Sequence, residues 1–315
     1  MFEFSSFLSN SYYIQNHSLP NGDFGLLIPF GMCLSADKTH YLICEFDTTQ
    51  TYQYNIIEVG LDGENMQLLK TIDLSNVFLI SDICITADAT HYLYIRTSVF
   101  VGGINYVIQM DLDGTNETVL IDGNTLFLQD GVTNALDRAF AICLSADKNH
   151  YLIVNISGTI IQVNLDGTNP VIFMDSSVLL QDGVTPALQN PSGICISIDN
   201  NHYLIVNANA NNIIQVNLDG TNPVIFIDSS VLLQDGVTPA LQQPIGICLS
   251  KDSSYYLVST FLNGIFKVKE YTKSIQRISM KSLFTDNSRV YYKPGSLAAG
   301  GVGTVRNSSI KLKRI

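Results

Sequence analysis

The chain repeats itself, and that repeat restricts the folds open to it more than any other feature. Residues 160–189 read IIQVNLDGTNPVIFMDSSVLLQDGVTPALQ, and residues 213–242 repeat them with one change, Met174 to Ile227. A shorter element, GICIS at Gly193, recurs as GMCLS at Gly31, DICIT at Asp82, AICLS at Ala141 and GICLS at Gly246. It sets Cys33, Cys84, Cys143, Cys195 and Cys248 at spacings of 51, 59, 52 and 53 residues. The chain therefore holds five diverged copies of one unit.

Each unit divides into four short apolar runs. In the fourth copy these are GICIS, HYLIVN, IIQVNL and PVIFI, separated by IDNN, NANANN and the pair Asp219-Gly220. Runs of Ile, Val, Tyr and Phe bounded by Asn, Asp and Gly predict strands of an antiparallel meander. Gly suits the third turn because it adopts positive φ at little steric cost. Four strands cannot bury both of their faces alone, so neighbouring copies must stack. Radial closure does this and leaves only short, protected edges. The sequence thus predicts an all-β fold, a β-propeller of four-stranded antiparallel blades over residues 1–283. A leucine-rich horseshoe would need a shorter period and a helical half. The chain has no Trp, which sets it apart from the tryptophan-bearing WD40 and kelch signatures. Segments 289–293, 302–306 and 309–314 have strand character and could pair with residues 2–8. Six blades are therefore favoured over five, with the termini joined in the closing blade.

Residues 187–220, ALQNPSGICISIDNNHYLIVNANANNIIQVNLDG, resemble an NHL-type propeller repeat. The likeness lies in A-x-L-x-x-P-x-G-[IV]-x-[VL], a turn, an [IL]-Y-[IV] strand and N-x-[IV]-x-[KRQ]-[VI]-[DN]. Ala240-Leu241 and Pro244-Ile245-Gly246 repeat its opening. The resemblance implies the propeller fold. It does not fix an activity, because such propellers serve binding, scaffolding and catalysis alike.

Hydrophobic residues make up 46% and charged residues 14%, a balance that supports a packed core and excludes a disordered chain. The net charge of −11 is unevenly spread. Residues 1–250 carry 5 Lys/Arg against 25 Asp/Glu, and residues 251–315 carry 12 against 3. An acidic body with a basic end predicts that residues 284–315 dock on an acidic surface through Arg306, Lys311, Lys313 and Arg314. Those residues could instead supply strands of a closing blade, or form a solvated tail. Nucleic acid is not expected on the acidic body, and only the basic segment could meet it. The opening MFEFSSFLSN lacks the basic and apolar regions of a signal peptide, and no apolar run is long enough for a membrane helix. Together with unpaired cysteines, these features predict an intracellular, reducing location.

Candidate chemistry is sparse. Five of the six cysteines fall on the innermost strands, too far apart for a disulfide's Cα separation of about 4.4–6.8 Å. They read as small apolar filling, without the paired spacing of a zinc site. His40, His91, His150 and His202 share one turn position, filled by Tyr255 in the fifth copy, and so read as turn residues. MDLDGTN at residues 110–116 overlaps the start of a calcium loop but lacks its later acidic ligand. The more informative position follows the second strand. There the copies place Glu45, Arg96, Asn155, Asn207 and Thr260, polar throughout and mostly different. In a propeller these residues would ring one mouth of the central channel beside the DGVTPAL linkers, as ligand or partner contacts or as plain strand caps.

Two function classes remain. The first is a non-enzymatic module for protein interaction or assembly, with no catalytic residues, cofactor or metal. Near-identical blades supply no asymmetric catalytic constellation, and the known nucleophile, zinc and phosphate motifs are missing. Residues 295–315 resemble C-terminal tails on proteins of large DNA viruses of protists and algae, which implies a virion component. The alternative is a metal-dependent lactonase-like hydrolase, similar to the gluconolactonase family. That resemblance implies one divalent cation held by Glu45, Asn155 and Asn207. The family's Glu-Gly-Pro opening is absent, Arg96 would sit near the ion, and no Asp completes the set.

Overall fold

The apolar runs do form strands. The computed structural model describes residues 28–47, 53–61, 67–73, 78–98, 103–232, 237, 239–261, 264–269 and 274–277. Blade 1 consists of β1 (Ile28–Leu34), β2 (His40–Asp47), β3 (Gln53–Gly60) and β4 (Gln67–Asp73). Blade 2 consists of β5 (Phe78–Ile85), β6 (His91–Ser98), β7 (Tyr106–Asp111) and β8 (Thr118–Asp122). Blade 3 consists of β9 (Ala139–Leu144), β10 (His150–Asn155), β11 (Thr159–Asn164) and β12 (Val171–Asp175). Blade 4 consists of β13 (Pro191–Ile196), β14 (His202–Asn207), β15 (Asn212–Asn217) and β16 (Val224–Ile227). Blade 5 consists of β17 (Pro244–Leu249), β18 (Tyr256–Thr260), β19 (Gly264–Lys269) and β20 (Ser274–Arg277). Every sheet is an antiparallel meander in sequence order, and no helix occurs among the described residues.

The core lies between blades. Leu93, Ile95 and Val107 of blade 2 meet Ile142, Tyr151 and Ile153 of blade 3. Met32, Tyr41 and Ile43 of blade 1 meet Cys248, Leu257 and Ile265 of blade 5. That last cluster closes the ring, and it corrects the preference for six blades. A Cβ on Gly246 would lie 2.4 Å from the Phe30 carbonyl oxygen, and the Ser259 hydroxyl donates to that same oxygen at 2.5 Å. Blade 5 thus rests directly on blade 1. The close approach of glycine-bearing inner strands is the physical reason five units suffice. Each blade is built from consecutive strands, so among the described residues none joins the two ends of the chain. Residues 2–8, 289–293, 302–306 and 309–314 lie outside the described residues, as does the whole segment 284–315 with Arg306, Lys311, Lys313 and Arg314.

One polar contact recurs around the ring. The second-strand tyrosine accepts a backbone N–H from the preceding blade's first turn. Ala36 donates to Tyr92 at 3.4 Å, Ala146 to Tyr203 at 2.9 Å and Ile198 to Tyr256 at 2.8 Å. Ala87 bonds Tyr151 in the same way, and Lys251 donates to Tyr41 at 3.2 Å across the closure.

The turns behave as their residues require. Gly114, Gly167 and Gly220 in the Asp-Gly turns have φ of 80, 80 and 79°, the left-handed region that costs glycine little. Thr115, Thr168 and Thr221 donate N–H and hydroxyl bonds to Asp113, Asp166 and Asp219. The histidines sit beside carboxylates at the opposite end of the blade from the linkers, His40 Nε2 3.2 Å from Glu58 and His91 Nε2 3.4 Å from Asp111.

Candidate interaction face

Antiparallel order puts the ends of the second and fourth strands on one face of the ring. Glu45, Arg96, Asn155, Asn207 and Thr260 occupy one register position there, opposite Pro29, Ile80, Ala139, Pro191 and Pro244 of the inner strands. Their side chains turn towards the protein. Asn155 and Asn207 are only 1% and 0% exposed. Asn155 Nδ2 donates to the Ala135 carbonyl at 2.9 Å and to Thr159 Oγ1 at 3.0 Å. Asn207 Nδ2 donates to the Ala187 carbonyl at 2.9 Å and to Asn212 Oδ1 at 3.0 Å, while its Oδ1 accepts the Gln189 N–H at 3.0 Å. Both amides therefore fasten the incoming blade-to-blade linker to a strand end. Buried Asn105 of blade 2 holds the outgoing side of the same linker that Asn155 ties, its Nδ2 donating to the Leu136 carbonyl at 2.9 Å. Arg96 instead lies over the Phe78 ring at 4.6 Å. Glu45 is buried and accepts from Asn55 Nδ2 at 3.3 Å, and Thr260 is buried.

The axis beside this position is filled. Phe30 of blade 1, Phe140 of blade 3 and Ile245 of blade 5 belong to one apolar cluster, and the two rings meet edge to face at 6.3 Å. Deeper along the inner strands stands Asp82, where the other blades have Gly31, Ala141, Gly193 and Gly246. Its Oδ2 accepts the Ile142 N–H of blade 3 at 2.9 Å, and the Met32 N–H of blade 1 also bonds it. Burial pushes this carboxyl up to about 8 against the lowering pull of those N–H donors. A Cβ on Gly31 would fall 1.9 Å from Asp82 Oδ1, so blade 1 needs glycine where blade 2 has its carboxyl. The six cysteines are free thiols, and burial raises the inner-strand thiols and Cys44 above the ordinary value. Packing is the role this environment gives them.

The linkers carry what the face exposes. In residues 122–139 the chain makes a small hairpin, with Leu128 N–H donating to the Thr133 carbonyl at 2.8 Å and Gly131 N–H to the Leu128 carbonyl at 2.8 Å. Asp130 fixes the tip, accepting the N–H groups of Val132 at 2.9 Å and Thr133 at 2.8 Å, together with the Thr133 hydroxyl. Asp182 does the same for Val184 and Thr185 in the next linker. The roots are buried at Ala135-Leu136, Ala187-Leu188 and Ala240-Leu241, while the tips Val132, Val184 and Val237 are 80%, 78% and 79% exposed. Phe127, Leu179 and Leu232 form exposed apolar shoulders. Hydrogen bonds from the Thr133 and Thr185 hydroxyls hold Asp130 and Asp182 below the usual carboxylate range, so both stay charged at neutral pH.

Reading the repeat as strands and turns passed over Asp82 and the valine tips. Both were visible in it: Asp82 as the one charge among small residues at its position, and DGVT as an apolar residue at the tip of a polar turn.

No family model matches the chain, and no curated protein matches it. Solved structures share its fold. A chain in a crystal structure of a nidogen/laminin complex matches with a TM-score of 0.52 and 12% identity, over 80% of this chain and 79% of that one. A structural-genomics protein of unknown function from Bacteroides thetaiotaomicron matches with a TM-score of 0.53 and 12% identity, over 80% of this chain. The match spans a little over half of that protein, 57%. At such identity the likeness extends to the propeller fold alone.

Proposed function

We propose that the chain is a non-enzymatic protein-binding module of NHL type that presents its linker face to a partner. The observation that carries this reading is the threefold repetition of one rigid tip. Blades 2, 3 and 4 each lead into a linker ending in a valine about four-fifths exposed, held in shape by its own aspartate in the two linkers where that residue is described. Pre-ordered apolar tips reduce the entropy lost on association. One solved structure of this fold belongs to a nidogen/laminin complex, which is consistent with propellers serving protein contacts. Six free thiols fit a reducing compartment.

The hydrolase reading finds less support. Asn207 has its Oδ1 on the Gln189 N–H and its Nδ2 on two further oxygens, and Arg96 occupies the equivalent place in blade 2. Asn207, so committed, and the cationic Arg96 do not fit a hard-cation site.

Two measurements test the proposal together. Melting of the purified full chain in calcium and in EDTA, with elemental analysis, is expected to give one melting temperature and no stoichiometric metal. Replacing the tips (V132D/V184D/V237D) is expected to leave melting within about 4 °C, since each exposed substitution changes stability by about 0.5 kcal/mol or less and the three together by about 1.5 kcal/mol or less, while capture of the protein that co-purifies with the wild type falls at least tenfold. A chelator-induced drop in melting temperature, or undiminished capture by the triple variant, would refute the reading.

A further inference from the structure

The valine-tipped face is also acidic. Its three linkers, residues 122–139, 175–190 and 228–243, hold Asp122, Asp130, Asp137, Asp175, Asp182, Asp228 and Asp235 against Arg138 alone. The chain leaves the ring on this same face. β20 pairs antiparallel with β19, Lys269 opposite Ser274 and Phe266 opposite Arg277, so Arg277 lies at the end of blade 5 where linkers begin in the other blades. The sequence beyond Arg277 is complementary in charge. Residues 278–315 carry Lys281, Arg289, Lys293, Arg306, Lys311, Lys313 and Arg314 against Asp286 alone. Their last ten residues, RNSSIKLKRI, interleave Ile310, Leu312 and Ile315 with Lys311, Lys313 and Arg314.

Resting on the protein-binding role of this face, we infer that the valine-tipped linkers of blades 2 to 4 are a docking surface for the basic, apolar residues 306–315 of the same molecule. The segment's apolar side chains match the valine tips and their apolar shoulders in character, and its four basic side chains match the linker aspartates in charge. Reach is no obstacle. Blades four strands deep at a spacing of about 4.8 Å make a ring on the order of 40 Å across, and about 30 extended residues span roughly 100 Å. The covalent connection supplies an effective concentration that a separate copy has to match. The segment then competes with any external partner for the same tips.

The test uses the full chain with the photo-crosslinker p-benzoylphenylalanine in place of Val184, as a mixture of isotopically heavy and light protein. Crosslinks from position 184 are expected within residues 304–315, heavy to heavy and light to light. Their yield is expected to fall several-fold in 1 M salt, where the screening length is about 3 Å, and in K311E/K313E/R314E. Crosslinks that miss residues 304–315, or that join heavy to light chains, overturn the inference. If they miss while V132D/V184D/V237D still loses its co-purifying protein, the docking of residues 306–315 falls and the binding reading stands.

Discussion

Asp82 shows how one side chain can organise a near-symmetric ring. Its carboxyl bonds inner-strand N–H groups of blades 1 and 3 and fills the space that Gly31 leaves open. Because burial raises it to about 8, the folded protein keeps a proton that the unfolded chain releases near its ordinary value of about 3.9. The stabilisation is therefore fully present below about pH 4, declines as pH rises towards 8, and is gone above that. The turn aspartates Asp37, Asp88 and Asp199 act in the opposite sense. Hydroxyl hydrogen bonds from Ser35, Thr86 and Ser197 lower each of them to about 2, so their contribution is present above about pH 4 and lost below it. Asp82→Asn should keep the acid limb and flatten the fall in melting temperature between pH 4 and 8. Thermal unfolding across pH 2–9 checks this, and a variant that retains the wild-type fall rules the assignment out. Asp82 stood in the repeat alignment as the sole acid in its column. Its importance depended on what faces it across the axis, which is a tertiary fact that spacing does not contain.

At the scale of the element, the repeat carries two kinds of fastening that the strand pattern left unread. Asn155 and Asn207 were legible as a polar position of the ring, but not as ties to the Ala135 and Ala187 carbonyls, twenty residues upstream in each case. The tyrosine of each His-Tyr or Tyr-Tyr pair reads locally as an ordinary inward strand residue. Only assembled blades bring its hydroxyl to the neighbouring turn. A single such bond contributes about 1 kcal/mol net, and its geometry varies around the ring. Tyr203→Phe and Tyr256→Phe, whose bonds are 2.9 and 2.8 Å, should therefore cost more than Tyr92→Phe, whose bond is 3.4 Å. Urea denaturation of the three variants orders them, and a Tyr92→Phe variant that loses the most would contradict this account of the blade contacts. The turns were the most legible elements, because Asp-Gly and Ser-x-Asp fix their own geometry within a few residues.

For the whole molecule, periodicity revealed the unit and its number, since five copies became five blades. It did not reveal where the ring shuts. Strand character near both ends suggested a sixth blade, yet ring size depends on how closely inner strands approach, and Gly246 against Phe30 permits direct contact of blade 5 with blade 1. The acidic linkers and basic residues 278–315 were legible as a charge division, while the face bearing the valine tips needed the topology. The proposed binding role rests on closure, because a shut ring with Phe30, Phe140 and Ile245 across its axis is what holds the three linkers side by side on one face. Hydrogen exchange at single amides tests that closure most directly. The Lys251 N–H, bonded to Tyr41 across the contact of blade 5 with blade 1, should be protected as strongly as the equivalent Ala146 and Ile198 N–H groups between the other blades. Exchange of Lys251 at the rate of exposed turns, with Ala146 and Ile198 still protected, would mean that blades 5 and 1 do not meet.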